Sequence, residues 1–375
     1  MSAHSVTFAP PPGAPATTPI RVLVADDSAF MRTAITRMIE SDPGLKVVGT
    51  ALDGVEALEK AAALNPDVMT LDIEMPRLDG LSVLRRLMAE DPRPVIMVSS
   101  LSKEGAEATL EAFDLGAFEC IPKQLSYASM DILKIRDLLV AKVRAAAAAT
   151  YLRKCRKSAP AAAPEPLPAT AAAALPLVIP ELVAIGCSTG GPKALQSILP
   201  QLPSNLRAGV VIVQHMPPGF TGPFANRLNS LSQVTVREAS DHDWVEHGTV
   251  LLAPAGKQLT VFRKTLSKFA VRISDQPRDT PHIPSVDVMM LSAAEAAGEK
   301  TMGIILTGMG SDGAKGMKLI ADKGGYTVGQ DEASCSVYGM PRSCAEQGSL
   351  KRVLSLTHIP AEILSATRYS PKRSL

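Results

Sequence analysis

The sequence has almost no charge to spare in either direction: 39 Lys and Arg stand against 37 Asp and Glu, a net +2 over 375 residues. That balance removes the usual argument for nucleic acid as a partner. No apolar run approaches the ~20 residues of a membrane span, and the N-terminus lacks the basic-then-apolar layout of a signal peptide. No membrane insertion and a cytoplasmic location are therefore expected. Cysteines are few, at 120, 155, 187, 335 and 344, and none forms a CxxC pair. An odd count without metal-ligand spacing points to reduced thiols in a cytosol. The Gly-rich stretches carry no Walker lysine and no full dinucleotide fingerprint. The second half offers no compact helix-turn-helix with a basic recognition helix, which disfavours a DNA-binding output. Nothing in the chain demands a dimer, so a monomer is expected.

What is present divides the chain. Its length suits two domains, each with its own core. Residues 1–20 are Pro- and Ala-rich without period and read as a disordered tail. From Arg21 to residue 144, apolar strands alternate with helices. Strands are expected at Val22–Ala25, Lys46–Gly49, Asp67–Asp72, Pro94–Val98 and Ala117–Ile121, and the last helix at Asp131–Ala148. Residues 145–180 shift to Ala and Pro with a basic patch (Arg153, Lys154, Arg156, Lys157), the composition of a semi-rigid linker. Residues 181–375 return to strand–helix style, with short strands near 234–238, 249–252, 258–262 and 271–273 that read as antiparallel. The fold class is thus α/β twice over. The first sheet is five-stranded, parallel and doubly wound; the second domain is mostly parallel and doubly wound, with an antiparallel hairpin region.

Ligands of such sheets sit outside the carboxyl ends of the strands. In the first domain those ends carry Asp26 and Asp27, Asp72, Ser99 and Lys123. Three carboxylates at one edge repel unless a cation joins them, and Mg²⁺ with oxygen ligands is the natural one. Lys123 offers a compact charge suited to phosphate, and Ser99 a hydroxyl. Any one of these is more simply a loop cap or a solvated side chain; the set is not.

Residues 21 to about 145 resemble the receiver domain of two-component response regulators. The resemblance rests on Asp26-Asp27, Asp72-x-x-Met75-Pro76-x-x-Asp79-Gly80, Ser99 and Lys123. It implies that Asp72 accepts a phosphoryl group from a histidine kinase. It further implies that Asp26, Asp27 and Asp72 hold Mg²⁺ together with the Glu74 carbonyl, and that Ser99 and Lys123 contact the phosphoryl group. Two positions depart from the pattern: Cys120 where an aromatic switch residue is usual, and Gln124 where proline is.

The second domain opens on Leu182-Val-Ala-Ile-Gly-Cys-Ser-Thr-Gly-Gly-Pro192, a buried strand, a Gly-rich turn and a helix start. Gly186-x-Ser188-x-Gly190 suits a nucleophile elbow, with free N–H groups at the helix start to receive an oxyanion. Ser188 or Thr189 as a plain helix cap, or a phosphate-binding loop, are the simpler alternatives. Cys187 reads as small core filler. Two further buried strands lead to His215 and to Gly310-Ser-Asp312-Gly313. Of the six histidines, only His215 ends a strongly apolar run; His282 lies between prolines in a loop. Asp312 taken alone reads as a cap for a helix at Ala314. Together the three supply a hydroxyl nucleophile, a base and a carboxylate to orient it. Their order, Ser-His-Asp, differs from that of α/β-hydrolases.

The motifs Ile185-Gly-Cys-Ser-Thr-Gly-Gly-Pro192, Val213-Gln-His-Met-Pro217 and Leu306-Thr-Gly-Met-Gly-Ser-Asp-Gly-Ala314 closely resemble the catalytic domain of the chemotaxis methylesterase (CheB) family. Receiver, linker and catalytic domain also follow that family's order. The resemblance implies hydrolysis of glutamate γ-methyl esters on chemoreceptor cytoplasmic helices, with release of methanol, and deamidation of certain glutamines. It casts Ser188 as nucleophile, His215 as base and Asp312 as its orienter, with the Thr189 and Met309 backbone N–H groups as oxyanion donors and no cofactor for the esterase step. It also implies that the unphosphorylated receiver blocks the active site. A non-catalytic regulator acting by binding, or a serine esterase of another substrate, are the competing readings.

Overall fold

A computed structural model describes residues 18–99, 103–123, 129–158, 176–265 and 268–369. The tail through residue 17, Gln124 and residues 159–175 of the expected linker lie outside the described residues. The chain forms two compact units.

The N-terminal body alternates β1 (Ile20–Ala25), α1 (Ala29–Glu40), β2 (Leu45–Ala51), α2 (Gly54–Leu64), β3 (Val68–Asp72), α3 (Gly80–Glu90), β4 (Val95–Ser99), α4 (Lys103–Leu115), β5 (Glu119–Pro122) and α5 (Ser129–Ser158). Five parallel strands form one sheet in the order β2-β1-β3-β4-β5. Val22, Leu23, Val24, Met69, Leu71, Ile96 and Met97 are fully buried, as strands covered on both faces must be. The helices start where short polar side chains cap them: Ser28 accepts from Met31 N, Asp53 from Val55 and Glu56 N, and Asp79 from Ser82 N. One expectation needs correction. The last helix does not end at Ala148 but runs on through the basic patch to Ser158. Ala, Leu, Lys and Arg all favour helix, and no glycine or proline stops it before residue 158.

The C-terminal body comprises β6 (Leu182–Cys187), α6 (Gly191–Ile198), β7 (Gly209–Gln214), α7 (Thr221–Leu231), β8 (Thr235–Glu238), β9 (Trp244–Val245), β10 (Thr249–Leu252), β11 (Gln258–Arg263), β12 (Phe269–Ser274), α8 (Val286–Ala297), β13 (Thr301–Ile305), α9 (Ala314–Asp322), β14 (Tyr326–Gln330), α10 (Met340–Glu346), β15 (Arg352–Leu354) and α11 (Ile359–Ala366). Seven strands pair in the order β15-β14-β13-β6-β7-β10-β8, all parallel. A second, three-stranded sheet pairs β11 with β12 and β12 with β9, both antiparallel. The expectation that 234–238 and 249–252 are antiparallel is therefore wrong: β8 and β10 are parallel members of the main sheet. Alternating side chains report a strand but not its direction, which the α7 crossover decides.

Strand order places the functional edge. From β6 the chain builds outward through β7, then returns to lay β13 on the other flank of β6. The switch point lies between β6 and β13, and ligands of such sheets bind beyond the carboxyl ends there. Below it sits α8, whose Met289, Met290, Ala293, Ala294 and Ala297 share one buried cluster with Leu182 and Ala184 of β6 and with Leu259, Phe269 and Val271 of the small sheet.

Candidate active site and phosphoacceptor site

The first candidate site is at the carboxyl edge of the five-stranded sheet. Asp26 and Asp72 are buried and Asp27 is exposed, and the three offer carboxylate oxygens within 4.8 Å of one another. Asp26 Oδ1 accepts from Ser28 N at 2.9 Å, and Asp72 Oδ1 from Glu74 N at 3.3 Å. Hard oxygen donors carrying concentrated negative charge fit a small divalent cation. On the neighbouring strand ends, Ser99 is buried and its carbonyl accepts from Lys123 N at 2.7 Å. Cys120 has its Sγ 3.4 Å from Thr109 Oγ1.

The second candidate site is built from three loops beyond β6, β7 and β13. The turn after β6 depends on two glycines. Gly190 has φ +79°, and it caps α6 without any side-chain bond. Neither Ser188 nor Thr189 caps that helix, so the capping alternative does not hold. Gly191 makes room for a neighbour: a Cβ there would lie 1.9 Å from Gln214 Oε1. Gln214 is buried at the end of β7, and its Nε2 donates to Ser188 O at 3.0 Å and to His215 O at 2.9 Å. Thr307 ties in the third loop. Its carbonyl accepts from Ser188 N at 3.0 Å, and its Oγ1 donates to Thr189 O at 2.9 Å. Nothing in the local pattern of either residue announces this stitching.

The stitching brings the three loops together. Cys187 and Gln214 are partners in the β6–β7 register; one residue further along each chain stand Ser188 and His215. His215 Nε2 lies 2.9 Å from Asp312 Oδ2, with both side chains nearly buried at 9% and 8% exposure. Asp312 also accepts from Ser285 Oγ (2.9 Å), Val286 N (2.8 Å) and Asp287 N (2.9 Å). It thus closes the N-terminus of α8. The expected cap for the helix at Ala314 is corrected: α9 starts on Gly313 with no side-chain bond. Asp312 is also not at a strand end, since β13 stops at Ile305. Burial works against its charge, but the hydrogen bonds from His215 and the α8 amides outweigh it and hold its pKa at about 2. A carboxylate that stays ionised accepts the Nε2 proton and leaves His215 Nδ1 with its lone pair. That Nδ1 is buried and has no partner among the described residues. Ser188 Oγ makes no hydrogen bond among the described residues, and such contacts often tighten only with substrate bound. Among the described residues, the Thr189 and Met309 backbone N–H groups donate to no backbone acceptor.

Cys187 is excluded as the nucleophile. Its side chain is completely buried beneath the turn, and burial pushes its thiol pKa far up. Cys187→Ala should leave kcat unchanged and cost about 1 kcal/mol of stability, measurable by urea unfolding. Sequence reasoning passed over one nearby residue: His282 stacks on His215, with ring centroids 4.0 Å apart and an interplanar angle of 22°. A loop histidine between prolines gives no periodic signal of such a contact.

A receiver-type sheet followed by a parallel α/β unit with reactive loops at its switch point defines a class: a response regulator whose output is a hydrolase domain. The family model of the CheB methylesterase matches residues 183–363, and that of the response regulator receiver domain residues 22–133. The chain is 44% identical over 366 residues to protein-glutamate methylesterase/protein-glutamine glutaminase 1 of Oleidesulfovibrio alaskensis, covering 92% of this chain and 99% of that one. It is 48% identical over 355 residues to protein-glutamate methylesterase/protein-glutamine glutaminase of Symbiobacterium thermophilum, covering 93% and 97%. A solved structure, the Thermotoga maritima CheB methylesterase catalytic domain, is similar at 40% identity and a TM-score of 0.48, covering 50% of this chain and 99% of that one. The chain belongs to the CheB methylesterase family.

Proposed function

We propose that this chain is a phosphorylation-regulated serine hydrolase of chemotactic adaptation. It removes the methyl group from glutamate γ-methyl esters on chemoreceptors, releasing methanol, and deamidates receptor glutamines. The observation that carries the reading is the buried Asp312–His215 pair, held beside the Ser188 turn by the β6–β7 register. The supported assignment makes Ser188 Oγ the nucleophile on the γ-carbonyl carbon. His215 Nδ1 takes its proton while Asp312 orients and balances the imidazolium. The Thr189 and Met309 N–H groups receive the oxyanion; losing one such donor typically costs ~10²–10³ in rate. His215 then passes the proton to the departing methoxide or amide, giving methanol or ammonia. Water, deprotonated by His215, attacks the acyl-serine; the C–Oγ bond breaks, His215 returns the proton to Ser188 Oγ, and glutamate leaves.

Asp72 is the proposed phosphoacceptor, with a histidine kinase of the receptor array as donor. Its carboxylate attacks phosphorus as the donor's P–N bond breaks. Mg²⁺ would supply positive charge here, held by Asp26, Asp27 and Asp72 carboxylates with the Glu74 carbonyl. Ser99 and Lys123 contact the phosphoryl oxygens. The domain division that accompanies this reading is a tail to residue 20, a receiver over 21–144, a linker over 145–180 and a catalytic domain from 181. No described helix is long and apolar enough to cross a membrane; the substrate is the cytoplasmic part of the receptor, and the working form is a monomer in the cytoplasm.

The test is methanol release from methylated receptor fragments with and without acetyl phosphate and Mg²⁺. Wild type should be stimulated by the phosphodonor, while Asp72→Asn should stay at the unstimulated rate. Equal stimulation of both proteins would overturn the regulatory half of the proposal.

A further inference from the structure

We propose that His282 is a positioning residue that fixes the plane of the His215 imidazole; the proposal rests on the Ser188–His215–Asp312 reading above. Among the described residues, the His215 ring is hydrogen-bonded at one atom, Nε2 on Asp312. An imidazole torsion of this kind is soft, so one hydrogen bond leaves the ring free to rock and carry Nδ1 away from Ser188. The His282 ring lies nearly parallel over it at 4.0 Å and removes that freedom.

His282 can do this because its loop is itself tied to the site. Gln258 is fully buried, and its Nε2 donates to Pro277 O and Thr280 Oγ1, each at 2.9 Å. Thr280 Oγ1 in turn donates to His282 O at 2.8 Å. Gln258 Oε1 accepts from Ser285 N at 2.9 Å, and Ser285 Oγ donates to Asp312 at 2.9 Å. Gly256 N donates to Ile283 O at 3.1 Å. One short segment therefore holds both contacts of His215: the Asp312 carboxylate at its edge and the His282 ring on its face. The outer side of His282 is exposed, so the ring also screens the base from water.

The experiment compares wild type, His282→Ala, His282→Phe and Ser188→Ala as full-length proteins. Two rates are read: methanol release from methylated receptor fragments, and phosphonylation of Ser188 by a small fluorophosphonate, in which a Ser188 O–P bond forms and fluoride leaves. His282→Ala should lower kcat and the phosphonylation rate by roughly 3- to 10-fold with KM unchanged, the scale of a lost aromatic pair. His282→Phe, which keeps the face, should recover most of both. Nitrogen NMR of His215 should show the Nε2–H tautomer in all three, because Asp312 is untouched, with exchange broadening from ring motion confined to Ala. Unchanged rates in His282→Ala would overturn the proposal. So would a defect confined to KM with normal phosphonylation, because His282 would then only touch substrate. If Ser188→Ala still releases methanol, the underlying site reading fails instead, whatever His282 does.

Discussion

Ser188→Ala should abolish methanol release, by on the order of 10⁶-fold, while the protein folds normally. The loss is large because Ser188 supplies the only bond to the acyl intermediate in the proposed path. The fold is spared because the Ser188 hydroxyl makes no hydrogen bond among the described residues; its loop is held through main-chain atoms. Ser188 N donates to Thr307 O, and Ser188 O accepts from Gln214 Nε2. Alanine keeps all of these. Stability should therefore move by no more than about 0.5 kcal/mol in urea unfolding. Substantial activity in Ser188→Ala would remove the serine mechanism altogether, since Cys187 is sealed in the core.

Asp312→Asn should damage both catalysis and the fold, a combination not expected of Ser188. An asparagine turned to donate its amide to Nε2 would force the His215 proton onto Nδ1, the nitrogen that takes the serine proton in the proposed path. The expected loss is ~10⁴-fold in kcat, the scale of a base held in the wrong tautomer. Asp312 also closes the α8 N-terminus with three acceptor contacts, to Ser285 Oγ, Val286 N and Asp287 N. A neutral amide with one oxygen cannot serve them all, nor offer charge to the helix dipole. Its pKa, about 2 against an ordinary 3.8, corresponds to about 2 kcal/mol of folding stability. The sign follows from the depressed folded value. That stability is fully present above about pH 4 and is lost as pH falls through about 2. Wild type should therefore exceed Asp312→Asn in stability at neutral pH, and the gap should close between pH 4 and 2. A constant gap across that range would mean that the carboxylate charge is not what holds α8.

Asp287 shows the other side of that arrangement. Burial raises its pKa, the nearby Asp312 charge adds to the rise, and its hydrogen bond from Gly316 N opposes it. The pKa values of two carboxyls at one helix start are thus shifted in opposite directions.

Much of this was legible in the residues. Runs such as Gly209–Val213 and Leu182–Cys187 are apolar throughout, as fully buried parallel strands must be, and they marked where the chain enters and leaves the sheet. Polar residues directly after those runs, Asp26, Asp72, Ser188 and His215, could only lie at strand ends. The helix caps at Ser28, Asp53 and Asp79, seen first in the structure, involve partners within three residues. A few neighbouring residues are enough to encode period, cap and turn.

The tertiary structure decided everything that depends on which segments become neighbours. The parallel direction of β8 and β10 came from the crossover, because alternation is the same for either direction. Asp312 capped α8, distant in sequence, and not the helix beside it, because Gly313 lets that loop return beneath Val286. The pairing of His215 Nε2 with Asp312 follows from where α8 holds the carboxylate. His282 joined the site because Gln258 pulls its loop inward. Each of these is a contact between residues far apart along the chain, fixed by packing and by the satisfaction of buried polar groups, and no local pattern carries that information.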